Sequence, residues 1–260
     1  MKTFFRQLKA LVKLSFVELW RRNDVFGLLI LALALMVPLS MAAPFGATGA
    51  SRFLDEMALL LIWGFSLFIA LGTGSRLFPP EFESRTIYPL LAKPISRGRL
   101  LFGKYLGAVA ASWSAVLLFY ALFVGSNLLR GGALSAELFQ AVALHLAFVA
   151  VAVALALLGS LVVSPSANLT LTGGALTAMF FFGRRLPEYA ETVEGPLAAV
   201  VKVVYALGPH AEFFDMRQRL IHSEWGAVEG GVLAAVLAYA LWYAFVCLVL
   251  AAVALKRKRV

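Results

Sequence analysis

Four groups of residues in this chain carry side chains that could do chemistry. The stretch Gly98-Arg99-Leu100-Leu101-Phe102-Gly103-Lys104-Tyr105 approaches a phosphate-binding loop. Such a loop needs a preceding strand and a Ser or Thr after the Lys to hold magnesium. Here Tyr105 stands in that place, no strand precedes it, and an apolar helix follows, so the chain is not expected to bind ATP itself. His210, Glu212, Asp215 and His222 are metal-ligand types, but their spacing fits no helical metal motif, and a polar loop turning at Gly208-Pro209 explains them. His145 lies inside an apolar run, where an ionisable group is a functional hypothesis by default. A neutral His bonding a neighbouring helix is the simpler reading. The fourth group is hydroxyl-rich: Ser164, Ser166, Asn168, Thr170, Thr172 and Thr177, with Thr73 and Ser75 in a second run.

The absences narrow the classes. No Gly-x-Ser-x-Gly or His-Glu-x-x-His occurs, which leaves intramembrane hydrolysis unsupported. No Asp or Glu falls within the core of an apolar run, so an ion-coupled carrier is disfavoured. No catalytic residue, resident cofactor or metal is expected. The single Cys, Cys247, sits in an apolar run and excludes a disulfide framework.

The elements that position these residues are membrane helices. Of 260 residues, 62% are hydrophobic, against roughly 45–50% in a soluble domain. Apolar runs span 25–43, 57–78, 106–125, 138–163, 169–183 and 230–255. A span takes about 20 apolar residues. The fifth run is short, and its helix could start near Ser166. Residues 1–22 place Lys2, Arg6, Lys9 and Lys13 on one helical face and Phe4, Phe5, Leu8, Leu11, Val12, Phe16 and Leu19 on the other. That segregation predicts an interfacial helix in the headgroup plane rather than a signal peptide.

The net charge of +9 raises nucleic acid as a partner, but the cations fall between apolar runs. Six lie in the N-terminal segment, six from Arg76 to Lys104, and four in the tail from Lys256. In 184–229, five cations are offset by seven acids. The positive-inside rule then sets both termini and 79–104 in the cytoplasm and 184–229 outside. Within the outer segment, Pro196 to Leu207 is too short to cross and suits a re-entrant or interfacial helix.

Residues 79–104 are the most informative gap. Pro79-Pro80 predicts a helix start, because the missing N–H groups fall where a first turn has no acceptor. Glu81 and Glu83 follow where the helix dipole favours anions. Ile87, Tyr88 and Leu91 supply a short apolar stripe, and Pro89 and Pro94 keep the helix brief.

This segment resembles the signature of type-2 ABC transporter permeases, the six-span membrane subunits of ATP-binding-cassette exporters. The matching residues are Glu81 and Glu83, Thr86, Leu90-Leu91, Pro94-Ile95-Ser96-Arg97 and Gly103-Lys104; Arg85 stands where the family often has Gly. Looser agreement comes from Pro209 and Phe214-Asp215 before the last run.

The resemblance implies an all-α fold: an N-terminal elbow helix over 1–22, then six spans over 23–260. It implies a coupling helix at 79–97 that docks on a separate ATPase subunit through Glu81, Glu83, Arg85, Thr86, Tyr88, Leu91 and Arg97. A second contact is expected at Ser164 to Asn168. Two copies, or one copy and a paralogue, would work with two ATPase subunits, which hold the ATP and magnesium. The second and fifth spans would line the path or the dimer seam through Thr73, Asn168, Thr170 and Thr177. Their lining predicts a hydrophobic or amphipathic cargo. The setting is the plasma (inner) membrane of a prokaryote. The alternative is a non-transporting anchor that recruits an ATPase to an envelope or maturation complex.

Overall fold

The computed structural model describes residues 2–20, 27, 30–31, 34–35, 48–84, 96–131 and 133–257. The first apolar run, 25–43, therefore lies mostly outside the described residues. So do Arg85, Thr86, Tyr88 and Leu91, and the side chain of Glu83.

Every regular element described is helical. The long helices are α1 (Lys2–Trp20), α2 (Thr48–Ser75), α4 (Arg97–Leu129), α5 (Ala136–Ser160), α6 (Pro165–Phe182) and α10 (Gly230–Arg257). Between α2 and α4 lies the single turn α3 (Pro79–Glu83). Between α6 and α10 come α7 (Leu186–Thr192), α8 (Pro196–Leu207) and α9 (Arg217–Ile221), with short 3-10 turns around them. Serine starts three of the helices. The hydroxyls of Ser96, Ser135 and Ser164 each accept from a backbone N–H three residues on, at 3.4 Å. Each supplies an acceptor to a donor that the first turn leaves without one.

Among the described residues, four helices are long and apolar enough to cross a membrane: Arg52–Phe82, Arg97–Leu129, Ala136–Ser160 and Gly230–Arg257. Among the same residues, a fifth crossing exists if Pro196–Leu207 and Ala211–Ile221, bent by 43°, form one broken span. The expected six spans are thus four or five among the described residues. The fifth apolar run accounts for part of the difference. Its helix, α6, does start before Leu169, but its 18 residues reach only about 27 Å at 1.5 Å per residue. Five Ser, Thr and Asn side chains also dilute its apolarity.

Helix α5 is the hub. Val149, Val151, Ala152, Val153, Ala154, Ala156 and Leu157 are all buried, so it has almost no free side. Helices α2, α4, α6 and α10 pack around it. Helix α10 touches it along one stripe, Ala240, Ala244, Cys247, Ala251 and Leu255, at helical spacing. Inside a membrane, lipid is as apolar as leucine, so close approach and hydrogen bonds drive helix association. Gly74 shows this: a Cβ there would lie 2.6 Å from Ala156 Cβ.

Helix α1 does not rest freely on its apolar face. Leu11 and Ser15 pack against Gly103 and Gly107 of α4, where added Cβ atoms would stand 2.8 and 2.5 Å from them. Arg6, Lys9 and Lys13 face outward. The helix is amphipathic as expected, but part of its apolar face is spent on α4.

Candidate transport groove and its two ends

The hydroxyl-rich faces of α2 and α6 meet, and the sequence-predicted residues divide there into two sets. Thr73 is buried; its hydroxyl bonds Ala70 O at 3.0 Å and Ser112 Oγ of α4 at 3.1 Å. Asn168 is fully buried. Its Nδ2 donates to Ser75 Oγ at 3.0 Å and to Ala156 O at 2.7 Å, and its Oδ1 accepts from Thr172 Oγ1 at 2.8 Å. One amide thereby ties α6 to both α2 and α5. Gly159 makes room for it, since a Cβ at Gly159 would fall on Asn168 Oδ1. These two residues are bundle fasteners behind the surface.

Thr170 and Thr177 are exposed and lie on a groove between α2 and α6. Three hollows run end to end along it. The first, about 200 Å³, includes Leu60, Trp63, Gly64, Phe180 and Thr177. It shares Leu67 and Thr177 with the second, about 260 Å³, which adds Gly173 and Gly174. The second shares Phe68 and Leu169 with the third, about 340 Å³, which ends at Ser75, Arg76, Pro165 and Ser166. The lining passes from aromatic to polar along this path.

At the α3 end, Lys104 is the pivot. Its ammonium donates to Glu81 Oε1 at 2.6 Å and to Leu77 O at 2.9 Å, and it stands 5.3 Å from the centre of the Phe78 ring. Lys104 is 5% exposed. A buried cation needs such pairing. Glu81, expected to face a partner, is thus turned onto its own chain, although its Oε2 is buried without a hydrogen bond. Arg97, also expected at the coupling surface, donates Nη1 to the carbonyls of Leu255 and Lys256 at 3.4 and 3.3 Å. The near-match to a phosphate loop, Gly98 to Tyr105, is regular helix within α4.

The other end is closed by the segment between α6 and α10. Arg217 makes a two-point contact with Asp215 at 3.0 and 3.1 Å and lies 4.6 Å over the Phe180 ring. Phe180 packs on Trp63, and Trp63 stacks on His145 at 4.4 Å. His145 is fully buried, with Nε2 2.6 Å from Ser66 Oγ and Nδ1 3.0 Å from Tyr120 OH. It joins α2, α4 and α5 as the structural reading of that residue expects. Further out, Gln218 Nε2 donates to Glu56 at 3.0 Å, and Arg130 pairs with Asp55.

The metal-ligand types do not converge. His210 pairs with Glu212 at 3.1 Å and stacks on Phe213, Asp215 pairs with Arg217, and His222 meets Glu224 at 3.3 Å. Glu224 is held below the ordinary carboxylate value by its own backbone N–H and then by His222. Among the described residues no group of three metal-binding side chains forms.

Lys104, Trp63, Arg76 and Arg217 were not singled out individually by sequence. A lone Lys opening an apolar helix, and a lone Arg closing one, were the available signals.

The described residues form an all-helical bundle with several membrane-length helices and a lengthwise groove, the architecture of an integral membrane protein. Residues 26–260 match the profile of the ABC-2 family transporter proteins, and the chain belongs to that family. Membership makes it a permease of the ABC transporter kind, whose membrane subunits are generally non-catalytic, and implies partnership with an ABC ATPase. A search of curated protein sequences returns no match.

Proposed function

We propose that this chain couples ATP hydrolysis in a separate ATPase subunit to export of a hydrophobic or amphipathic substrate across the plasma membrane. The observation that carries this reading is the groove of α2 and α6, bordered by Thr170 and Thr177, in a chain of this family. Two permease copies face each other with six spans each, and two ATPase subunits sit below. Arg85, Thr86, Tyr88 and Leu91, with Glu83, contact the ATPase. Glu81 and Arg97 act from within: through Lys104 and the end of α10 they carry movement of that segment into the bundle. The broken helix pair α8 and α9 closes the outer mouth, held by Arg217.

The test is a mild-detergent pull-down of the tagged chain from its own membranes, with ATPase activity assayed on the eluate. A stoichiometric ATPase is expected, and Glu83→Lys should leave the chain folded while uncoupling hydrolysis. A chain that purifies alone and without ATPase activity refutes the proposal.

A further inference from the structure

Helix α1 carries its charge where its own stability gains nothing from it. Arg6, Lys9 and Lys13 recur at helical spacing on one exposed face. Arg6 with Lys9, and Lys9 with Lys13, are like-charge neighbours three and four residues apart, an arrangement that destabilises a helix. The one acid of α1, Glu18, comes after the last of them.

The opposite face is occupied. Leu11 and Ser15 are buried against Gly103 and Gly107 of α4, so the cations point away from the bundle. Beside them runs a second exposed stripe, Ala10, Leu14 and Val17, with Leu14 58% and Val17 41% exposed. A face that is cationic along one line and apolar along the next fits the boundary between lipid head groups and acyl chains. Lysine and arginine stems lie on the apolar layer there while their charges reach the phosphates. An acidic protein surface would answer the charges but gives no reason for the apolar stripe beside them.

Beneath α1, the same stretch of α4 holds the link to α3. Gly103 and Gly107 bracket Lys104, whose ammonium donates to Glu81 Oε1 at 2.6 Å and to Leu77 O at 2.9 Å. A Cβ at Gly107 would stand 3.0 Å from Val12 O and 3.3 Å from Phe16 N, so the backbone of α1 itself is seated there. Helices α1 and α3 thus hold neighbouring residues of α4.

We infer that the exposed face of α1 binds anionic phospholipid of the adjoining leaflet, with Arg6, Lys9 and Lys13 on the phosphates and Leu14 and Val17 among the acyl chains, and that this contact seats α1 on α4 beside the Lys104–Glu81 link. The lipid contact stands apart from the export proposal; its effect on ATP hydrolysis rests on that proposal. Each cation near such a surface favours anionic over zwitterionic lipid about five-fold at low salt, so three together give about a hundred-fold.

The experiment uses the full chain with its co-purified ATPase in phosphatidylcholine nanodiscs. Each disc holds a trace of photoactivatable phosphatidylglycerol or phosphatidylcholine, with the diazirine near the head group, and adducts are mapped by mass spectrometry. The phosphatidylglycerol probe is expected to label Ala10, Leu14 or Val17 far more strongly, and raised salt should narrow the difference. Replacing Arg6, Lys9 and Lys13 together by Gln should abolish the preference. Lys13→Gln alone should reduce it about five-fold, and Lys13→Arg should keep it. With phosphatidylglycerol as a bulk lipid, ATP hydrolysis should rise in the parent and not in the triple variant. Gly107→Val, which lifts α1 from α4, should keep the labelling and lose that rise.

Equal labelling by the two probes overturns the inference, as does a preference that survives the triple variant. A face shielded from both probes, with Lys13→Cys crosslinking to the ATPase, assigns it to a protein surface and overturns the inference too. Labelling that follows the charges while hydrolysis ignores phosphatidylglycerol overturns the connection to Lys104. An eluate without any ATPase defeats the export proposal and leaves the labelling to decide the lipid contact by itself.

Discussion

Gly159→Ala should be among the most damaging small substitutions in the chain, and Asn168→Ala should rescue it. The methyl added at 159 lands on Asn168 Oδ1. Asn168 must then leave its place and lose its bonds to Ser75, Ala156 and Thr172. Interhelical hydrogen bonds in membranes contribute roughly 0.6 kcal/mol each on average, up to about 1.7. Three of them make the loss about 2–3 kcal/mol, with the bond to Ala156 O the shortest at 2.7 Å. Forcing the methyl into a filled core adds about 1–3 kcal/mol, for a total near 3–6 kcal/mol. Asn168→Ala alone loses the bonds but not the fit, about 2–3 kcal/mol. In the double variant the methyl occupies vacated space, so its cost should stay near that of Asn168→Ala alone. The coupling energy is then favourable by the full cost of Gly159→Ala, about 3–6 kcal/mol, at or above the upper end of the range found for residues in contact. Unfolding the purified protein by SDS in mixed micelles gives the four free energies of the cycle. Additive costs would refute this packing, as would a Gly159→Ala variant as stable as the parent.

Four other outcomes follow from contacts at the ends of the helices. Lys104→Met strands the partly buried Glu81 without its partner and should cost roughly 3 kcal/mol, while the double variant with Glu81→Gln should recover most of it; thermal inactivation of the purified complex measures both. Gly107→Val should lift α1 from α4, so a Ser15→Cys probe, buried in the parent background, becomes reactive to maleimide in membranes. Tyr120→Phe removes one of His145's two hydrogen-bond partners and should destabilise by about 1 kcal/mol, with His145→Leu costing more because it removes both bonds, although Ser66 still donates to Trp63 O. Arg217→Ala should open the segment between α6 and α10 to added protease, and Arg217→Lys should protect only partly, since a lysine lacks the two-point geometry with Asp215.

Composition alone gave the helical membrane class, because 62% apolar residues in runs of about 20 leave few other folds. The diproline start of α3 was legible for the same local reason it forms, with both prolines in its first turn. What sequence could not supply was pairing between helices. Asn168 stood out as polar in an apolar run, but nothing marked Gly159 as its counterpart. That relation depends on the tight turn from Leu161 to Ser164 that folds α6 back on α5. Thr73, Asn168, Thr170 and Thr177 looked alike as side chains, yet helix rotation buries the first two and opens the last two. Lys104 was read as part of a motif, whereas its partner Glu81 became visible only once α3 lay beside α4. Helix α6 falls short of a span because it has 18 residues, five of them Ser, Thr or Asn, and only Asn168 and Thr172 of these are buried.

Arg97 has a consequence for the far end of the chain. The last carbonyls of a helix have no internal donors, and Arg97 supplies one to Leu255 and Lys256. The first residue of α4 thus serves as the stopper for α10, 158 positions later. Coupling between two sites is reciprocal in binding free energy. Whatever holds Arg97 in this place must then also slow amide hydrogen exchange in the final turn before Arg257. A tag that frays that turn must loosen Arg97 in return, so the end of α10 is a poor place for an affinity handle and a good place for an isotope-exchange reporter.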